Sequence, residues 1–195
     1  MAFFEKVKRK IRKNHLISIL LALLFGSGSI TAAVFNGFSN EVEWRIAFIP
    51  APNWLVSGIL ILIGLFAAFH FFKSIIAVVK LPGYHALMET AEKLGNVAAI
   101  GERLDAIEQS PFVKEMLKVD DMYFFYLNDT DPILIPTSRI RSIQPVQESG
   151  RGRSFHVTVL YDDQCVNINT ADKNLEPLTA ALFTAVKQSR SQPGA

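Results

Sequence analysis

Residues 16–35 read LISILLALLFGSGSITAAVF and residues 54–72 read WLVSGILILIGLFAAFHFF, and neither run contains Asp, Glu, Lys or Arg. A helix needs roughly 20 consecutive apolar residues to cross ~30 Å of hydrocarbon. Both runs meet that length, and neither carries the polar face expected of a helix at the edge of a soluble core. They predict a pair of membrane-spanning helices, about 16–35 and 54–72.

Charge sets the expected orientation. Lys6, Lys8, Arg9, Lys10, Arg12 and Lys13 precede the first run, and Lys73 and Lys80 follow the second. Between the runs, residues 36–53 hold Arg45 alone against Glu41 and Glu43. Basic residues near membrane ends are retained in the cytoplasm, so this pattern predicts a multi-pass protein of the cell membrane with both ends inside. Trp44 and Trp54 fall in or beside the short external loop, where an indole rests at the interface. A basic start before an apolar run also describes a signal peptide. Thr31-Ala32-Ala33 is a poor cleavage site, however, and the run is longer than a usual signal core.

The net charge of +2 conceals a division. Residues 1–80 carry nine Lys/Arg and three Glu, whereas residues 81–195 carry eleven Lys/Arg and fifteen Asp/Glu. A basic anchor joined to a mildly acidic domain argues against bulk nucleic-acid binding, which needs a clustered basic surface. The lone Cys165 cannot form an internal disulfide, in keeping with a reducing compartment.

Residues 1–15 place Phe4, Val7 and Ile11 at helical spacing beside the basic cluster. Two readings stand for Lys6, Lys8, Arg9, Lys10, Arg12 and Lys13: a membrane-surface helix on the anionic inner leaflet, or simply a topology signal. Within residues 16–80, Ala22 and Gly26, Ser29 and Ala33, and Gly64 and Ala68 give small residues at four-residue spacing. Such faces let helices approach closely, predicting a tight hairpin. His70, one turn before Lys73, reads as an interfacial snorkelling pair or, alternatively, as part of a proton relay.

Residues 81–111 form a helical connector. Pro82-Gly83 breaks the preceding helix, and Gly95-Asn96 divides the connector into two short helices, with Asn96 able to cap the second. From Met122 the period changes to short segments rich in β-branched and aromatic residues: 122–127, 133–135, 143–147, 154–161 and 164–170. Phe155, Val157, Val159 and Tyr161 share one face of the fourth. Short turns between these segments predict an antiparallel meander. A helix from about Leu175 to Ser189 closes residues 112–190, with Asn174 as N-cap, Pro177 in its first turn and Leu175, Leu178, Leu182 and Val186 as its apolar stripe. Residues 191–195 read as a disordered tail.

Catalytic chemistry is not legible. His15, His70, His85, His156 and Cys165 show no metal-ligand spacing, and there is no nucleophile elbow, P-loop or dinucleotide fingerprint. Cys165 reads as a buried inert thiol. Asp162-Asp163 and residues 128–131 could hold a divalent cation, although turn-forming Asx chemistry explains both. Arginines offer the one constellation. Arg139 and Arg141 would share a strand face, while Arg151 and Arg153 flank a Gly-rich turn. Gathered on one rim, they could bind a phosphate or an anionic leaflet; scattered, they are solvated surface charge.

A membrane helical hairpin followed by an α+β domain, its antiparallel sheet closed by a C-terminal helix, resembles a pleckstrin-homology-like (PH-like) architecture. Residues 134–143, LIPTSRIRSI, are similar to a strand pair of bacterial PH-like membrane proteins. Leu94-Gly95-Asn96 with Ile100 and residues 104–108 (LDAIE) resembles the helix preceding that domain in uncharacterised bacterial two-helix proteins. Those relatives more often have Asp where Asn96 stands and an acidic residue where Ile107 stands. The resemblance implies a fold and a location but no activity, since a fold alone licenses none. The expectation is a non-enzymatic, membrane-anchored module without cofactor, binding a protein, a second copy or an anionic headgroup. The alternative is an accessory subunit acting through its membrane helices.

Overall fold

The computed structural model describes residues 2–38, 44–46, 49–51, 53–148 and 154–191. Its elements run α1 (Ala2–Phe38), β1 (Trp44–Ile46), β2 (Ile49–Ala51), α2 (Asn53–Lys80), α3 (Pro82–Leu94), α4 (Val97–Ala106), β3 (Met116–Val119), β4 (Tyr123–Asn128), β5 (Asp131–Pro136), β6 (Ile140–Glu148), β7 (Ser154–Tyr161), β8 (Gln164–Thr170) and α5 (Asp172–Ser191). They divide into two compact units, residues 10–82 and residues 1–9 with 83–195.

In the first unit, α1 and α2 are both long and apolar enough to cross a membrane. Only 11% and 17% of their most apolar windows are buried in the protein, in contrast to the mostly buried core helix of a soluble fold. Leu24, Phe25, Leu62 and Phe66 are among the large apolar side chains that point outward. The helices meet at Gly26 and Gly64, two of the predicted small residues, whereas the predicted Ala68 is exposed and Ala67 is buried in its place. A methyl group added at Gly26 would lie 3.2 Å from Ala67 Cβ, and one at Gly64 would lie 2.9 Å from Ile30 Cγ1. Near the far end Asn36 Nδ2 donates to Ser57 Oγ at 2.8 Å. The expected loop between the helices contains a two-stranded antiparallel hairpin, β1 with β2, pairing Trp44 to Ala51.

Leu81 alone separates α2 from α3, with φ at 44°. Pro82 starts α3 rather than ending the chain's helical run: its missing N–H is harmless at a first helical position. At the predicted break Gly95 takes φ 134°, and Asn96 caps α4 by accepting from Ala98 N and Ala99 N. That cap stands as predicted.

In place of one meander, the strands form two three-stranded antiparallel sheets, β3-β4-β5 and β6-β7-β8. The 3-10 turn Thr137–Arg139 intervenes between them. Two-residue turns join β4 to β5 and β7 to β8, with positive φ at Asp129 and Asp162. Asp tolerates that conformation, which supports the turn reading of both acidic clusters. β3 is an addition to the five predicted strands.

Between the sheets lies the main core, including Leu117, Phe124, Tyr126, Ile143, Val157, Val159, Ile168, Leu178, Leu182 and Val186. α5 starts three residues earlier than predicted, so Asn174 lies in its first turn instead of capping it. Its side-chain amide donates to Phe112 O at 3.2 Å, and Pro177 falls inside the helix.

Alternation along β4 puts Phe125 on the opposite face from Phe124 and Tyr126, yet all three are fully buried. A second apolar layer must therefore cover the outer face. Lys118 and Leu134 lie opposite Phe125 across the strands, and Leu87, Ala91, Ile100 and Leu104 of α3 and α4 are buried without belonging to the main core. Gly83 permits close approach here, because a Cβ would meet Thr130 O at 2.5 Å. Fully burying one Phe side chain stabilises by roughly 1.5–3 kcal/mol.

Candidate functional site

Of the four arginines singled out in the sequence, Arg151 and Arg153 lie outside the described residues. Arg139 ends the 3-10 turn and Arg141 is the second residue of β6, and both reach the β7–β8 turn. There Asp162 Oδ2 stands 3.6 Å from Arg139 Nη1, and Asp163 Oδ1 accepts from Arg141 Nη1 at 3.3 Å. Two guanidinium groups facing two carboxylates leave this rim without net charge. The signal was in the sequence as the Asp162-Asp163 turn, but its position opposite these arginines depends on the β6–β7–β8 register.

Arg141 also borders a shallow cleft of about 200 Å³ between β6 and α5, lined by Ile140, Ile143, Phe183, Lys187 and Arg190. Phe183 is 51% exposed there, beside the buried Val186 and the exposed Lys187. Arg190 Nη2 donates to Ile140 O at 2.9 Å, which fixes its guanidinium at the cleft. Among the described residues, no ion pair engages Lys187 or Arg190. The cleft thus combines an apolar floor, an exposed aromatic and a basic rim.

Other polar groupings are structural. Arg103 reaches Asp120 and Asp121 through two guanidinium nitrogens, tying α4 to the β3–β4 turn. Asp120 Oδ1 accepts from Met122 N and Tyr123 N, so its carboxylate builds that turn. Lys118 Nζ donates to Leu104 O at 2.7 Å and to Ile107 O, closing the end of α4. Burial holds this ammonium below its ordinary pKa range. A second cleft, about 430 Å³, lies beside Phe112 and Asn169, where Thr170 and Asn174 both donate to Phe112 O.

The N-terminal cluster has a placement that the sequence alone does not reveal. Phe3, Phe4 and Val7 are at most 1% exposed and belong to the unit formed with residues 83–195. Phe3 meets Phe125 edge to face, with ring centroids 4.9 Å apart. The apolar side of this segment therefore covers protein rather than lying on lipid. Lys6 Nζ donates to Asp105 Oδ1 at 2.6 Å, and that hydrogen bond holds the Asp105 carboxyl below its usual range. Lys8 lies 5.3 Å from the Tyr84 ring centroid. Arg9, Arg12 and Lys13 are exposed and Lys10 is half-buried.

Among the described residues, no group of three His, Cys, Asp or Glu side chains is arranged to hold a metal. Cys165 is exposed on β8, not buried, because it stands on the face of that strand opposite the inward Val166 and Ile168. His70 meets Phe66 edge to face, with ring centroids 4.4 Å apart, beside a cleft of about 450 Å³ between α1 and α2, with Ser18 and Ser74. Comparisons with protein-family models, curated proteins and solved structures find no match to this chain.

Proposed function

We propose that this chain is a non-enzymatic, membrane-anchored interaction module whose cytoplasmic domain binds an acidic protein segment in the cleft between β6 and α5. One observation carries the reading: exposed Phe183 sits among Arg141, Lys187 and Arg190. An aromatic anchor framed by cations suits a peptide that offers an apolar side chain beside carboxylates. Arg139 and Arg141 are met by Asp162 and Asp163, so among the described residues the cleft cations that carry no ion pair, Lys187 and Arg190, are the ones suited to a peptide carboxylate.

Anchorage rests on the two apolar helices and the basic residues around them. The packing of residues 1–9 with 83–195 in one unit supports a hairpin whose two ends share one side of the membrane. The Lys and Arg that flank the two apolar runs support reading that side as the cytoplasm. In the domain, two antiparallel sheets around a core that α5 completes support a PH-like closure.

A photo-crosslinking residue at position 183 of the full chain, in its own membrane, tests the reading. The expected result is a discrete protein adduct that disappears in R141E/K187E. An adduct with lipid alone would replace the protein ligand with a headgroup, and no adduct would end the proposal. The alternative, an accessory subunit acting through its helices, predicts adducts from position 24 or 62 instead. The small residues that motivated it are engaged within the hairpin, at Gly26 and Gly64.

A further inference from the structure

The outer face of the β3-β4-β5 sheet is covered by side chains from the opposite end of the chain. Phe125 meets Phe3, Phe3 meets Phe4 edge to face at 5.5 Å, and Lys118 Nζ lies 5.6 Å from the Phe3 ring centroid. Around this aromatic centre the contacts turn polar and partly exposed: Lys6 with Asp105, and Lys8 over Tyr84. Buried aromatic anchors inside a polar rim are the anatomy of a protein interface. An amphipathic helix laid on such a face is a known mode of peptide recognition. Here both halves belong to one polypeptide.

Floor and walls of this groove come from one stretch, α3 through β5. Its helix α4 is fastened to the sheet by bonds that do not involve residues 2–9, Arg103 to Asp120 and Asp121 and Lys118 to Leu104 O and Ile107 O. Helix α3 comes close at Gly83, where a Cβ would meet Thr130 O at 2.5 Å. The main core likewise contains no residue of α1. The sheet and α4 are thus joined by bonds in which the segment takes no part.

We propose that α3, α4 and the outer face of β3-β4-β5 form a helix-binding groove, and that residues 2–9 are its built-in, displaceable ligand. The occupant shows what a displacing partner must offer: two adjacent aromatics, a β-branched residue one turn later and a lysine placed for Asp105. A tethered ligand competes at high effective concentration, so a free helix of the same chemistry binds weakly until the segment leaves. The inference is independent of the β6–α5 cleft.

The test uses the full chain in phosphatidylcholine nanodiscs and, as probe, a fluorescent peptide of residues 1–12. F3A/F4A, which empties the groove of its anchors, is expected to bind the peptide at least about tenfold more tightly than the wild type does. A peptide bearing the same two alanines is expected not to bind. A folded F3A/F4A protein that ignores the wild-type peptide overturns the proposal. If the variant unfolds, hydrogen exchange on the wild type decides. A displaceable ligand requires the amides of Lys6 to Arg9 to exchange about tenfold or more faster than those of Phe124 to Tyr126. Equal rates would make the segment a fixed part of the core and overturn the proposal equally.

Discussion

The two faces of β4 are equally dry but are closed in different ways. Phe124 and Tyr126 face a core supplied by β6, β7, β8 and α5, all of which come after β4 in the chain. Phe125 faces α3 and α4, which immediately precede the sheet, and Phe3, which lies beyond two long apolar helices. One side is covered by neighbours in sequence, and the other is completed by a distant terminus. Burial alone does not distinguish a domain's own core from a face that a mobile element can cover; the origin of the covering residues does.

The largest expected effect comes from breaking the distant contact. Phe3→Ala and Phe125→Ala should each destabilise the domain by about 3 kcal/mol, a typical cost for truncating a buried Phe. Because the rings touch, the double variant should cost less than the sum, as pulse proteolysis of the solubilised chain would show. Strict additivity would mean that the outer layer does not act as one packed unit.

The inner face makes a finer comparison. Tyr126 has a buried hydroxyl with no hydrogen-bond partner among the described residues, and burial pushes its pKa up to about 12. The folded state keeps this phenol neutral where the unfolded chain ionises near pH 10, so its contribution is fully present below pH 10. It is lost as pH rises towards about 12. Tyr126→Phe should be neutral or stabilising by up to about 1 kcal/mol at pH 7, and should flatten the alkaline loss. An unchanged alkaline slope in denaturant titrations would place that hydroxyl in contact with solvent.

Smallest of all should be the effect of Arg139→Gln with Arg141→Gln. Exposed ion pairs such as these contribute about 0–1 kcal/mol. A shift in midpoint larger than this would show that the rim supports the sheet edge rather than decorating it.

Much of the fold was legible because its signals are local. The apolar runs, the Gly95-Asn96 break and the bounds of β7 and β8 depend on residues close together in sequence. β3 was not legible, since MLKV is short and lacks alternation. Nor was the division into two sheets, which turns on three residues, Thr137 to Arg139. The outer layer did leave a trace. Residues 123–127, YFFYL, form an unbroken apolar run, and a strand without alternation is one buried on both faces. That run calls for a second cover, and Phe3-Phe4 was available, but nothing local connects them. At the candidate cleft, Phe183 falls outside the predicted apolar stripe of α5. Its site exists only because β6 passes alongside.

The contact between Phe3 and Phe125 also sets an order of events during synthesis. Residue 3 leaves the ribosome first, and its partner strand emerges about 120 residues later, which at ~5–20 residues per second is on the order of ten seconds. Both apolar helices are made in that interval. The outer layer can therefore close only after both apolar helices, and the sheet that follows them, have been made.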